Sequence, residues 1–304
     1  MKIVIAGGSG FLGRSFAAFL ASQGHEAVVL TRNPQQRQDV LWDGKTLGDW
    51  CRALNGAAAV VNLAGRSVNC VYTEVNRREI LDSRVNSVRV IDAAVAQCPD
   101  SPEVIIQAAS LAIYGNTTAV CDEAAPHGVG FSVDVCELWE EEFFKNDLPI
   151  IRKCALRIGF VLGAGGGALA PLRRLTRWFL GGTVGSGNQY ISWLHINDLN
   201  RMLLACIQDR SMHGVYNATG PTPVTNRDFM RALRKSLSRP WSPPVPAFAV
   251  RFGALYILGT QASLALTGRK CFPRRLEDAG FTFEFTDLDE TLASIMAEWD
   301  HDAA

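Results

Sequence analysis

The chain has 304 residues, 48% of them hydrophobic and 20% charged, enough for one large α/β domain or a large domain with a smaller one. Thirty basic residues balance thirty acidic ones, so the charge gives no footing for nucleic acid or an anionic membrane as partner, and a small-molecule substrate is expected. The eight cysteines (Cys51, Cys70, Cys98, Cys121, Cys136, Cys154, Cys206 and Cys271) show no Cys-x-x-Cys pair or metal-ligand spacing. They are expected as reduced thiols of a cytoplasmic protein without a metal site.

In chain order, Lys2–Ala6 reads as a strand, Phe11–Gln23 as a helix, Glu26–Thr31 as a strand and Ala58–Leu63 as a buried strand ending in NLAG. MKIVIAGG enters its strand without the regions of a signal peptide. A long helix is expected over Thr73–Gln97, strands over Glu103–Ala109 and Ile150–Val161, and a glycine-rich loop at LGAGGGALAP. This order implies a doubly wound, Rossmann-type parallel sheet with helices on both faces. After residue 165 the rhythm weakens into helices and short strands, so the expected division is a Rossmann domain over 1–164 and a smaller, partly interleaved α/β module over 165–304 that shapes a substrate cleft. PWSPPVPAF at 240–248 reads as a linker into a helix. The apolar run Phe252–Thr267 is too short to span a bilayer and reads as a packed helix.

IAGGSGFLG, residues 5–13, carries the strongest chemical signal. Gly8, Gly10 and Gly13 fit G-x-G-x-x-G, and Gly7, Gly10 and Gly13 fit the G-x-x-G-x-x-G variant. Such glycines permit a tight turn out of a strand, let backbone approach a pyrophosphate and let the helix pack on the sheet, while the helix N-terminus favours the anion. About twenty residues on, where an NAD-binding chain places an acid for the ribose 2′-hydroxyl, stand Thr31 and Arg32. A guanidinium suits a 2′-phosphate, so NADP is expected over NAD; the plainer reading is that Arg32 is a surface residue of a turn.

The glycine motif, NLAG at 62–65, DSRVNSVRVI at 82–91 and SLAIYG at 110–115 resemble the extended short-chain dehydrogenase/reductases, the superfamily of sugar-nucleotide epimerases and dehydratases. RIGFVLGAGGGAL, GSGNQYISWLHINDL, YNATGPTPVTNRDF and GRKCFPRRLEDAGFTF narrow this to a likeness with the YfcH-like branch, epimerase-family proteins of undefined substrate. The resemblance covers nearly the whole chain. It implies that Gly7, Gly10, Phe11, Leu12 and Gly13 hold the pyrophosphate, that Arg32 meets the adenosine phosphate and that Leu63, Ala64 and Gly65 line the adenine and ribose side. It also implies that Asn86 organises the site and that Ser110 bonds a substrate oxygen; a strand-end hydroxyl serving local backbone is the equal alternative for Ser110.

One departure stands out. The superfamily's Tyr-x-x-x-Lys pair falls on Ser132 and Cys136 of FSVDVCELWE, or on Phe131 and Val135 with a one-residue slip, so the ordinary proton relay is missing. Tyr114, four residues after Ser110, is the nearest substitute phenol; its other reading is a packed ring with the hydroxyl bonded to backbone. Cys136 reads as reactive if its thiolate is stabilised, and otherwise as a buried inert thiol. His195 and Asp198 read as cap and orientation of the next helix, with Asn197 or Asp198 as N-cap. Arg157, Arg173 and Arg174 read as contacts for an anionic substrate or as surface charges, and Trp139 and Trp193 as core or cleft wall. Two functions stand at this point: an NADP-dependent oxidoreductase or epimerase on a carbonyl or nucleotide-sugar-like substrate, or a catalytically silent NADP-binding protein in sensing or assembly.

Overall fold

A computed structural model describes residues 1–148, 150–250 and 261–301. The strands among the described residues are β1 Lys2–Ala6, β2 Glu26–Thr31, β3 Asp39–Leu41, β4 Ala59–Asn62, β5 Val104–Ser110, β6 Val120–Cys121, β7 Arg152–Ile158, β8 Phe160–Leu162, β9 Tyr190–Ile191, β10 Trp193–His195, β11 Gly214–Ala218, β12 Val224–Thr225 and β13 Lys270–Cys271. Helices among the described residues include α1 Phe11–Ser22, α2 Glu74–Ala96, α3 Phe131–Lys145, α4 Leu169–Arg177, α5 Ile196–Gln208 and α6 Asn226–Ser236, then α7 Ser263–Leu266, α8 Arg274–Asp278 and α9 Leu288–His301.

Seven strands form one parallel sheet in the order β11-β7-β5-β4-β1-β2-β3. The direction of winding reverses between β1 and β4, and in an open α/β sheet that switch point opens a crevice beyond the strands' carboxyl ends. Alternation along β1 decides what each face buries: Ile3 and Ile5 pack with Phe16 and Leu20 of α1 and with Leu199, Met202 and Leu203 of α5. Val4 and Ala6 face the other way, into a core shared with Val88, Ile91 and Val95 of α2 and Trp139 and Phe143 of α3. The doubly wound architecture read from the sequence is therefore the one observed.

Two elements differ from expectation in an instructive way. The strand expected over Ile150–Val161 is two strands, because the chain leaves the main sheet at Gly159. A Cβ there would come within 2.4 Å of the Ser192 carbonyl oxygen, so only glycine lets the backbone pass and then pair, as β8, with β10. β11 comes from beyond residue 165 and closes the edge of the main sheet on β7, while α5 covers the sheet beside α1. The sequence after 165 thus completes the nucleotide fold as well as building a third apolar cluster from Trp193, Phe229, Leu233, Leu292 and Ile295. The proline-rich stretch lies against Thr183–Gly185 through backbone bonds of Val245, and 247–250 turn helical. Of the helix expected over Phe252–Thr267, residues 252–260 lie outside the described residues and the remainder holds α7.

Candidate active site

At the end of β1 the glycines divide their tasks. Gly7 has φ +73° and its missing Cβ would lie 2.8 Å from the Ala64 Cα, so glycine is required both by conformation and by the close approach of the β4 loop. At Gly13 a Cβ would meet the Gly8 Cα at 2.4 Å, which is the tight helix-to-turn packing the motif predicts. Gly10 is different: the nearest atom to a Cβ there is 3.8 Å away, so the protein itself does not demand glycine. Open space above Gly10 is what a bound pyrophosphate needs. Gly10 is also the N-cap of α1, without a side-chain cap bond, and the first turn holds no acidic residue. The N–H groups of that turn, including those of Phe11 and Leu12, are left for an external anion, with the helix dipole in support. These residues fit a dinucleotide.

Arg32 lies exposed just beyond β2, which is tied to the glycine turn by the Thr31 hydroxyl donating to Ser9 Oγ at 3.0 Å. Gly7 N donates to the Leu30 carbonyl at 2.9 Å, so the end of β2 stands beside the turn and Arg32 projects from its rim without an ion pair among the described residues. On the other side, Leu63 N bonds the Ala6 carbonyl at 2.9 Å and places Leu63, Ala64 and Gly65 next to Gly7. Their turn is shaped by Asn62, whose Oδ1 accepts from Ala64 N at 3.1 Å and whose Nδ2 donates to Ser87 Oγ and Gln107 Oε1 at 3.1 and 2.9 Å. This buried triangle joins β4, β5 and α2 and was missed in the sequence; its only signal is polarity inside apolar strands. Asn86 itself is half-buried and makes no side-chain hydrogen bond among the described residues, so the organising bonds fall on its neighbour Ser87.

The glycine-rich loop after β8 closes against the same site. A Cβ at Gly163, Gly166 or Gly167 would come within 3.1, 2.7 or 2.8 Å of the Phe11 ring. Phe11 at the start of α1 is thus gripped by backbone that only glycines can bring so near.

Ser110, at the carboxyl end of β5, accepts from Ala112 N at 3.2 Å and caps the short turn Leu111–Tyr114. That bond uses an oxygen lone pair and leaves the hydroxyl proton to donate, so local capping and a role toward a substrate oxygen are compatible. Tyr114 does not supply an accessible phenol. It is 2% exposed, donates to Asn217 Oδ1 at 2.8 Å and accepts from Arg157 Nη1 at 2.7 Å, and burial pushes its pKa up to about 12. Arg157, expected at an anionic substrate or the surface, is instead buried and clamped by Glu140 through Nε and Nη2 at 2.9 and 2.8 Å. Cys136 is buried, and desolvation with Glu140 nearby raises its thiol to about 12, which leaves it inert.

His195, rather than Asn197 or Asp198, is the N-cap of α5: its Nδ1 accepts from Asn197 N at 3.2 Å and its ring stacks on Phe285 at 3.7 Å. Burial lowers its pKa to about 4, so it is neutral and structural. Asp198 accepts from the backbone N–H groups of Glu284 and Phe285, both at 3.1 Å, and fastens the C-terminal segment to α5. Trp193 is fully buried and Trp139 nearly so. Arg173 stacks on Trp299 at 4.8 Å and Arg174 lies in the last turn of α4; neither joins the groups around Gly10.

Residues 3–129 match the NAD dependent epimerase/dehydratase family, and 245–295 match a domain of unknown function, DUF1731. An epimerase family protein, the SDR39U1 homolog of Arabidopsis thaliana described as chloroplastic, is 32% identical over 97% of this chain and 87% of its own. The chain belongs to the epimerase family. Within it, YfhF of Bacillus subtilis is 30% identical over 98% of this chain and 99% of its own length. The crystal structure of human SDR39U1 with NADPH superposes with a TM-score of 0.89 at 30% identity, covering 98% of this chain and 99% of that one. A nucleoside-diphosphate sugar epimerase of Corynebacterium glutamicum superposes at 0.79 with 27% identity, over 99% of this chain and 61% of that one.

Proposed function

We propose that this epimerase-family protein is an NADP(H)-dependent oxidoreductase or epimerase acting on a carbonyl or nucleotide-sugar-like small molecule. The observation that carries the reading is the pairing of an open anion cradle at Gly10 with a guanidinium, not a carboxylate, at the end of β2. The first turn of α1 would hold the pyrophosphate, Arg32 the 2′-phosphate, and Leu63, Ala64 and Gly65 the ribose side. That the human relative was solved with NADPH supports this choice of cofactor. When bound, NADPH supplies a hydride for transfer. Ser110 would donate a hydrogen bond to the substrate oxygen and so polarise the carbonyl, keeping its own proton. The loop 163–167, packed on Phe11, would shield the site from water. A cytoplasmic setting is supported by eight free cysteines; among the described residues no helix is long and apolar enough to cross a membrane.

The test is incubation with stereospecifically deuterated NADPH and a panel of carbonyl compounds and nucleotide sugars, read by mass spectrometry. Deuterium in a product is expected. Tight NADPH binding with no deuterium moved to any acceptor would replace this reading with a silent nucleotide binder.

A further inference from the structure

With Tyr114 buried and neither a phenol at Ser132 nor an amine at Cys136 of α3, the proton required by carbonyl reduction needs another source. A second phenol reaches α3 from outside it. Tyr72 stands in the turn before α2, half-buried, its ring packed edge-on against Phe131 at 5.1 Å. Its place is fixed by backbone: its carbonyl accepts from Arg77 Nε at 3.2 Å, the Val71 carbonyl accepts from Asn76 Nδ2 at 2.7 Å, and its N–H points to Gln261 Oε1 at 3.5 Å. The phenol interacts with the Ser132 side chain.

Arg84 enters the same space from α2. Its guanidinium stacks over Trp139 at 5.0 Å and lies against Gly65, where a Cβ would be 3.3 Å from Cζ. It therefore touches the Leu63–Gly65 turn on one side and α3 on the other. Nη1 donates to the Arg66 and Ile80 carbonyls at 3.1 and 2.9 Å, but no carboxylate among the described residues pairs with it. Burial opposes its charge and lowers its pKa. Ser132 and Cys136 are one turn apart on a single face of α3. Tyr72 thus packs at the start of α3, on Phe131 beside Ser132, and Arg84 packs farther along it, on Trp139, both delivered by α2 and its approach.

We infer that Tyr72 is the proton donor of this site and that Arg84 is the positioning cation that balances the charge left on it. The inference rests on the oxidoreductase reading above. Burial holds the Tyr72 phenol protonated at neutral pH, the form a donor requires. Ser132, Arg84 and Arg77 favour the phenolate that donation leaves, and Cys70 is the neighbouring titratable group that opposes it. With NADPH bound, the carbonyl carbon would take its hydride as the new C–H bond, and the former π pair on oxygen would form an O–H bond with the Tyr72 proton. The Tyr72 O–H bond would break, the charge of Arg84 would favour the phenolate left, NADP⁺ would be the oxidised product, and solvent would return the proton.

The experiment places trifluorotyrosine, whose phenol ionises near neutral pH, at position 72 and follows its titration by fluorine NMR in full-length protein. The expected result is a rise of about one pH unit in the Arg84→Met background, a titration near the original in Arg84→Lys, and a lower midpoint with NADP⁺ than with NADPH because the nicotinamide charge is close. A midpoint indifferent both to Arg84 and to the cofactor's charge overturns the inference. In the deuteride assay, Tyr72→Phe is expected to lower transfer by roughly 10²-fold or more with NADPH affinity kept within twofold. Undiminished transfer by Tyr72→Phe overturns the inference while leaving the oxidoreductase reading intact. Failure of every form to move deuterium, with the titration behaving as expected, overturns that reading and leaves the placement of Tyr72 and Arg84 standing.

Discussion

Arg157 and Arg84 approach the same helix, α3, and meet opposite fates. Arg157 rises from β7 into a closed network: two bonds to Glu140, one to Tyr114, and through Tyr114 to Asn217 on β11. Arg84 arrives from α2 with carbonyl partners for one nitrogen, an aromatic face and no carboxylate among the described residues. A guanidinium whose charge and donors are all answered holds elements together. One without a carboxylate partner remains available to an anion formed or bound beside it. The contrast separates the part of the molecule that maintains the fold from the part to which the proposal assigns the chemistry.

Glu140 is where the contrast is most exposed to test. Replacing it with Ala strands a buried guanidinium, and urea unfolding should show a loss of about 3–5 kcal/mol. A loss below about 1 kcal/mol would mean that the closed network is not structural. The second test is pH. His195 is buried with a folded pKa of about 4, below the usual value near 6.5, so the unfolded chain binds the proton more readily. Its contribution is fully present above about pH 6.5 and is lost as pH falls toward 4, by up to about 3 kcal/mol. His195→Asn, which keeps a capping side chain, should flatten that part of the stability profile. Third, Tyr114→Phe removes the hydroxyl linking Arg157 to Asn217 and should lower stability by about 1–3 kcal/mol while deuteride transfer is unchanged. An intact stability with lost transfer would reverse the roles assigned to Tyr114 and Tyr72. Smallest is Arg84→Met, expected to alter stability by less than about 1 kcal/mol because the unpaired charge adds little to the fold.

What the sequence disclosed follows the range of the interactions involved. The alternation of Ile3 and Ile5 against Val4 and Ala6, and the glycine spacing from 7 to 13, are local patterns and led directly to the sheet and the cofactor cradle. The place of Arg32 just beyond β2 was legible because the fold sets the end of that strand a fixed distance after the glycines, and its role toward a 2′-phosphate is the proposal made above. Gly159 was not, since the atom that requires it is the carbonyl of Ser192 on a different segment. Nor was Arg157: its partner Glu140 lies on a helix that meets β7 only in three dimensions. The role proposed for Tyr72 left no local trace, because it depends on α3, whose Phe131 packs on the Tyr72 ring from nearly sixty residues on. His195 misled in a smaller way; histidine is an uncommon N-cap beside Asn197 and Asp198 in the same turn.

In the proposed site NADP(H) fills the cleft at the end of β1, with Arg32 reading the 2′-phosphate, and all the chemistry assigned to Ser110, Tyr72 and Arg84 depends on that placement. The decisive measurement is titration calorimetry of the full chain with NADPH and NADH, repeated with Arg32→Ala. Tighter binding of NADPH is expected, with a gap that narrows by about 1–3 kcal/mol in the variant, the scale of a lost charge-assisted hydrogen bond. Equal affinities of the unaltered protein for the two cofactors would contradict it.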